Sequence, residues 1–192
     1  MPILLTALAS VGIAWLRGAP PTMLAGVRLR WKLLPALAFL VQLVVFVRLP
    51  DAFSAVAPSL HLTTLALLVI FLAANVRYRG LLVVGVGLLL NVAVIAANGG
   101  YMPVRPTDLA RAGFPAVAAR LAQGQTYQKS VALDDSTRFP YLADVLPLPL
   151  PGPDRLLSLG DVFVAAGTFL FLQEALTPVR RRLPQVPPHA VP

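Results

Sequence analysis

The sequence predicts an all-α membrane protein, a five-transmembrane-helix bundle with a long, partly helical, Pro-rich extracytoplasmic loop between the fourth and fifth helices. Three observations predict it. Hydrophobic residues make up 57% of the chain and charged residues only 12%, and the mean hydropathy of +0.76 lies outside the range of soluble domains. Five apolar stretches stand out, at Pro2–Leu16, Leu33–Val47, Ser59–Val76, Leu81–Ala97 and Leu156–Leu176. The basic residues fall beside these stretches on alternate connections, as lipid-spanning chains arrange them.

The first stretch is read as a retained helix, because no positive segment precedes it and no small-residue cleavage site follows. The second is short for about 30 Å of hydrocarbon, and Lys32 and Arg48 bracket it as residues able to snorkel. The third begins at Ser59 and the fourth at Leu81, and both approach full spanning length. Gln42, Asn75 and Asn91 lie within spans and suit hydrogen bonds between helices, while Gly85 and Gly87 permit close helix approach. The fifth opens with Ser158-Leu159-Gly160-Asp161, the S-x-x-D pattern of a capping box before an apolar run.

Orientation follows from the short connections. With the N-terminus outside, the cytoplasmic segments hold Arg17, Arg28, Arg30 and Lys32, then Arg77 and Arg79, then Arg180, Arg181 and Arg182 in a Pro-rich tail over 178–192. The loop Leu49–Pro58 is then external, with Arg48 at its margin. The reverse orientation exports three basic clusters, against the positive-inside rule. The expected location is the bacterial plasma membrane, with multiple passes and a cytoplasmic C-terminus.

Composition excludes several function classes. Without cysteine there is no disulfide framework, thiolate metal site or cysteine nucleophile. His61 and His189 are the only imidazoles, no carboxylates cluster with them, and neither a metal nor another cofactor is expected. The net charge of +8 is explained by topology and anionic headgroups, since no basic run interleaved with aromatics forms a nucleic-acid footprint.

The loop over 98–157 carries the dense polar chemistry. Asn98-Gly99-Gly100-Tyr101-Met102-Pro103 reads as a helix end. Thr107 is expected to cap a short turn that Gly113 stops, and Pro115 to open a second short helix reaching Gln123. Ala110, Phe114, Val117 and Leu121 share one helical sector, suited to lying on the bundle or on the membrane surface. Leu alternates with Pro from Leu146 to Pro151, which favours an extended, polyproline-like strip over Tyr141–Pro151 that docks over the helix ends.

The segments Asn98–Val104, Thr137-Arg138 with Leu142 and Asp144, Pro147-Leu148-Pro149 and Ser158–Val162 together resemble a family of small bacterial integral membrane proteins catalogued as a domain of unknown function. The resemblance spans most of the chain, including the basic first connection and Gln42. It implies a membrane location and carries over no catalytic assignment.

The candidate site residues are Asp161, Asp144, Arg138 and Asn98. Around one outer-face pocket they would supply a general base or bind a cationic headgroup. Taken separately, Asp161 is a helix-capping carboxylate, and Arg138 with Asp144 is an ion pair that folds the loop. Ser59 with His61 lacks a third triad member, and His61 is better read as an interfacial polar residue. Glu174 is placed to snorkel or to meet Arg180.

Three functions follow, in order. The first is a non-catalytic accessory or scaffold subunit acting through its outer loop. The second is an outer-leaflet enzyme or binding protein for a lipid-linked substrate. The third is a transporter, disfavoured because five helices show no inverted repeat. The expected partners are the lipid bilayer, a membrane protein partner or a lipid-linked ligand, and no nucleic acid; oligomeric state is not legible.

Overall fold

The computed structural model describes residues 2–48, 50–148 and 155–177 and is mostly helical. The apolar stretches all become helices: α1 Pro2–Leu16, α2 Leu33–Arg48, α3 Pro50–Ala74 and α4 Arg79–Ala97. Between α4 and the last long helix lie β1 Met102–Val104, α5 Pro106–Arg111, α6 Pro115–Ala122, β2 Ser130–Ala132, β3 Leu146–Leu148 and β4 Arg155–Leu157. The last long helix is α7 Leu159–Ala175. Among the described residues, α4 is long and apolar enough to cross a membrane, and Ile3–Leu16 and Pro58–Ala74 are shorter apolar helices.

The two central helices are α4 and α7, and glycine lets them touch. Gly80 and Gly87 stand seven residues apart on α4, as Gly160 and Gly167 do on α7, so each pair lies on one face. A Cβ on Gly80 would overlap the Phe171 backbone, and one on Gly87 would overlap the Gly160 carbonyl. The helices therefore run antiparallel with their backbones in contact. Gly85, expected to share this role, has nothing within 4 Å of its missing Cβ; it lies on the α3 side, lining an apolar groove with Leu72 and Leu89.

On the far side of α7, α1 is fixed by polar contacts. Ser10 Oγ donates to the Phe169 carbonyl (3.1 Å), and Gln173 Nε2 donates to Ser10 O (2.7 Å) and to Ser10 Oγ (2.9 Å). On the far side of α4, α3 packs through Leu65, Phe71 and Leu72 against Leu81, Leu88 and Ile95, and α2 packs on α3.

One end of this row gathers basic residues. Asn75, fully buried at the end of α3, accepts from Arg30 N (2.9 Å) and donates to Arg30 O (2.9 Å) and Phe71 O (2.8 Å). The Asn75 side chain thus holds the connection before α2 rather than joining two helices. Tyr78 Oη donates to Arg28 O (3.2 Å), and Arg17 Nη1 donates to Gln173 Oε1 (3.1 Å). Glu174 faces the start of α4, where Gly80 N donates to its Oε2 at 3.4 Å.

Three expectations are corrected. The segment Leu49–Pro58 is not an open loop, because α3 begins at Pro50 and continues through Pro58. Proline at the first position suits a helix start, and an internal proline removes one backbone donor without ending the helix. Thr107 caps nothing: Arg105 is the N-cap residue of α5 and Pro106 its first. The strip from Tyr141 is not one extended run: it starts within the turn Pro140–Leu142, and Leu146–Leu148 is β-paired, antiparallel to Arg155–Leu157. Its remainder, Pro149 to Pro151, lies outside the described residues, as do the tail over 178–192 and the side chains of Gln42 and Arg48.

Candidate functional site

The end of the row opposite Asn75 is covered by a folded cap. Helix α4 stops as Gly99 and Gly100 take φ of 69° and 91°, a turn that a Cβ would strain. Gly100 also lies against Pro58 of α3, where a side chain would collide. The chain then enters β1, all three of whose residues are buried. Strand β1 pairs in parallel with β2, and on its other side Asp144 N donates to Pro103 O (3.0 Å). Helix α6 seals this layer with Leu121, which is fully buried, and Ala118. Of the sector expected from Ala110, Phe114, Val117 and Leu121, only Leu121 is buried; Ala110 and Phe114 are exposed, and the segment is split between α5 and α6.

Asn98 ties the cap to the end of α4. Its Nδ2 donates to Val94 O (2.7 Å) and to Arg138 O (2.9 Å), while its Oδ1 accepts from Arg138 N (3.0 Å). The side-chain amide thus pairs with both backbone polar groups of Arg138. Next to this clamp Phe139 sits at φ 55°, a conformation uncommon outside glycine and asparagine. The turn Pro140–Leu142 that follows buries Leu142 and Ala143 but leaves Tyr141 68% and Phe139 44% exposed. The two rings meet edge to face, 6.4 Å between centroids.

The start of α7 carries the expected capping box and one further partner. Asp161 N donates to Ser158 Oγ (3.0 Å), and Ser158 N donates to Asp161 Oδ2 (3.2 Å). From α4, Asn91 Nδ2 donates to Asp161 Oδ1 (3.0 Å), and Ser158 Oγ donates to Asn91 Oδ1 (2.9 Å). Both Asp161 oxygens are therefore engaged. Asn91 reaches them because Gly160 has no Cβ; one there would overlap Asn91 Oδ1.

Between the cap, the start of α7 and the start of α1 lies a cleft of about 390 Å³. Its apolar wall is Ile3, Val104, Leu109, Phe114, Val117, Leu156 and Leu157, and its polar side is Tyr127, Gln128, Ser130, Asp144 and Asp161. Asp144 Oδ1 is buried and has no hydrogen-bond partner among the described residues. Burial, with the Asp161 charge adding to it, pushes the Asp144 carboxyl up to about 7. Nearby, burial pulls the Lys129 amine below its ordinary value.

The four sequence candidates thus separate into two pairs. Asp144 and Asp161 share the cleft, whereas Asn98 and Arg138 meet through the Arg138 backbone some distance along the cap. Among the described residues the Arg138 guanidinium makes no ion pair with either aspartate; the ion pairs are Arg105 and Arg111 with Asp108. Among the described residues His61 Nδ1 is buried with no hydrogen-bond partner, Ser59 included, while the imidazole hydrogen-bonds to the Gly100 backbone. No group of three His, Asp or Glu among the described residues is placed to hold a metal ion.

Sequence reasoning missed Ile3, Tyr127 and Ser130, which reach the cleft from segments distant in the chain. It also missed Asn91 as the partner of Asp161, though two polar residues facing a Gly-rich seam between apolar helices were a usable signal. The chain belongs to the family of unknown function DUF5317, whose model matches residues 26–173. No curated protein and no solved structure matches it.

Proposed function

From membership of that family and the geometry of the cap, we propose that the chain is a non-catalytic accessory subunit embedded in the bacterial plasma membrane by five helices. The N-terminus and the cap lie outside, and the basic connections lie inside. The outward faces of α1 and α2 support the embedding: Leu4, Leu8, Leu37, Phe39 and Leu40 are all more than half or about half exposed, a cost in water and none in lipid. The clustering of Arg17, Arg28, Arg30, Lys32, Arg77 and Arg79 beside the end held by Asn75 supports the orientation.

The observation that carries the accessory role is the Asn98 clamp on Arg138. It spends two of the four candidate site residues on holding Phe139 in the left-handed region. Left-handed backbone at a bulky residue costs on the order of 1–3 kcal/mol and persists where surrounding contacts impose it. The product is an exposed aromatic pair, Phe139 and Tyr141, on a fixed cap. Aromatics of this kind anchor protein interfaces. Asp161, the strongest catalytic candidate from the sequence, has both oxygens committed to Ser158 and Asn91, so helix capping accounts for its position.

The test is a photo-crosslinking amino acid at Tyr141 in intact cells, with Trp15 on the lipid-facing surface of α1 as the comparison. A discrete protein adduct from position 141 and lipid adducts from position 15 are expected. Only lipid adducts from position 141, or none, would overturn the role.

A further inference from the structure

The cleft beside Asp144 has features the accessory role leaves unused. It joins a seven-residue apolar wall to a polar side with two carboxylates, a hydroxyl, a phenol and an amide, and no Lys or Arg lines it among the described residues. In a chain of net charge +8 that is a local inversion of sign. Asp144 is buried with an oxygen that finds no partner among the described residues, and a buried unmet acceptor favours the arrival of a donor. Its volume of about 390 Å³ falls in the range of small-molecule sites.

From this arrangement we infer that the cleft binds the ammonium head of a long-chain amine, with Asp144 and Asp161 as counter-charges and the Ile3, Phe114 and Val117 wall receiving the chain. Ser130 and Gln128 add neutral acceptors for the remaining ammonium protons. The Tyr127 and Phe114 rings line the same space, and aromatic rings attract a cation placed over their faces. A phosphate or carboxylate head is disfavoured there, because it would meet two aspartates and no base. Ile3 lies near the start of α1 and is 45% exposed, so the chain of the ligand has a lateral exit along that helix. That lateral route rests on the membrane reading above, whereas recognition of the amine does not.

The ligand also explains the Asp144 side chain in one protonation state. An arriving ammonium favours the carboxylate, so binding releases a proton below the Asp144 midpoint and releases none above it. Asp161 is the charged group that faces Asp144 across the cleft, and Tyr127 is the other titratable group lining it. Binding therefore strengthens as pH rises toward that midpoint and levels off above it.

The experiment uses the full chain in phosphatidylcholine nanodiscs with nitroxide-labelled dodecylamine, and with equally labelled dodecanol and dodecyl phosphate as comparisons. Immobilised probe is read by electron paramagnetic resonance. At about pH 8 the amine is expected to bind at least roughly tenfold more tightly than either comparison, the scale of one charge-assisted contact. Asp144→Asn, which keeps shape and removes charge, should abolish that preference. Val117→Trp, which fills the wall, should exclude all three probes while leaving the Asp144 pH response of stability intact. Equal binding of amine and alcohol, a preference for the phosphate, or an unchanged preference in Asp144→Asn overturns the inference. Preference for a short-chain amine equal to that for dodecylamine would overturn the lateral route and leave amine recognition standing.

Discussion

Asn91 of α4 donates its side-chain N–H to Asp161 of α7 at 3.0 Å, and the oxygen of the same amide accepts from Ser158 at 2.9 Å. The helix cap of α7 is thus completed by a neighbouring helix, so local capping and helix packing are one interaction. In Asp161→Asn one acceptor becomes an NH₂ group facing either Asn91 Nδ2 or Ser158 N. A loss of about 1–3 kcal/mol is expected, as for a buried donor left unmet. In a double-mutant cycle Asn91→Ala and Asp161→Asn should couple by about 1 kcal/mol or more. Reversible unfolding in a detergent titration measures both; additivity would return Asp161 to a purely local cap.

The glycine seam makes a prediction with an internal control. Gly87→Ala and Gly160→Ala each place a methyl where the opposite backbone or Asn91 already stands, and overpacking of that kind costs about 3 kcal/mol or more when backbone must move. Gly85→Ala adds a methyl to open space and removes a flexible residue from a helix, which should raise stability by roughly 0.5 kcal/mol. The same titration separates the three, and equal losses would mean that α4 and α7 meet on another face.

The long helices were legible because each rests on a run of apolar residues, and α7 also on its S-x-x-D start. The α3 start was not, since Pro58 reads locally as a stop while the helix passes through it. The glycine expectation was half met: Gly85 and Gly87 are two residues apart, about 200° around a helix, so only one could face α7. The cleft was legible only as Asp144 and Asp161. Ile3, Tyr127 and Ser130 come from other segments, and their meeting depends on the parallel β1–β2 pairing, which three-residue strands do not announce.

The proposed orientation can be read in intact cells because the chain has no cysteine of its own. Gln125→Cys, on the exposed loop between α6 and β2, should react with a membrane-impermeant thiol reagent. Arg79→Cys, at the start of α4, should react only after lysis. Labelling of position 79 and protection of position 125 would reverse the orientation.

Asp144 gives the prediction with the clearest sign. Its carboxyl titrates near 7 in the folded chain against 3.8 for the ordinary group, so between those values the folded state holds a proton that the unfolded state has released. Stability from this group is therefore fullest below about pH 4, falls as pH rises toward 7, and stays low above it. A shift of about three units sets an upper bound of about 4 kcal/mol on the change. Asp144→Asn cannot ionise and should lose that part of the pH dependence, so its advantage over the natural protein should widen from about pH 5 to about pH 8. Detergent unfolding at the two pH values provides the measurement. Parallel responses of the two proteins would show that Asp144 is already ionised at the lower pH, with water or another donor meeting its buried oxygen. Dodecylamine added at the higher pH should narrow the gap by stabilising the natural protein alone, because only there does a buried carboxylate await a cation.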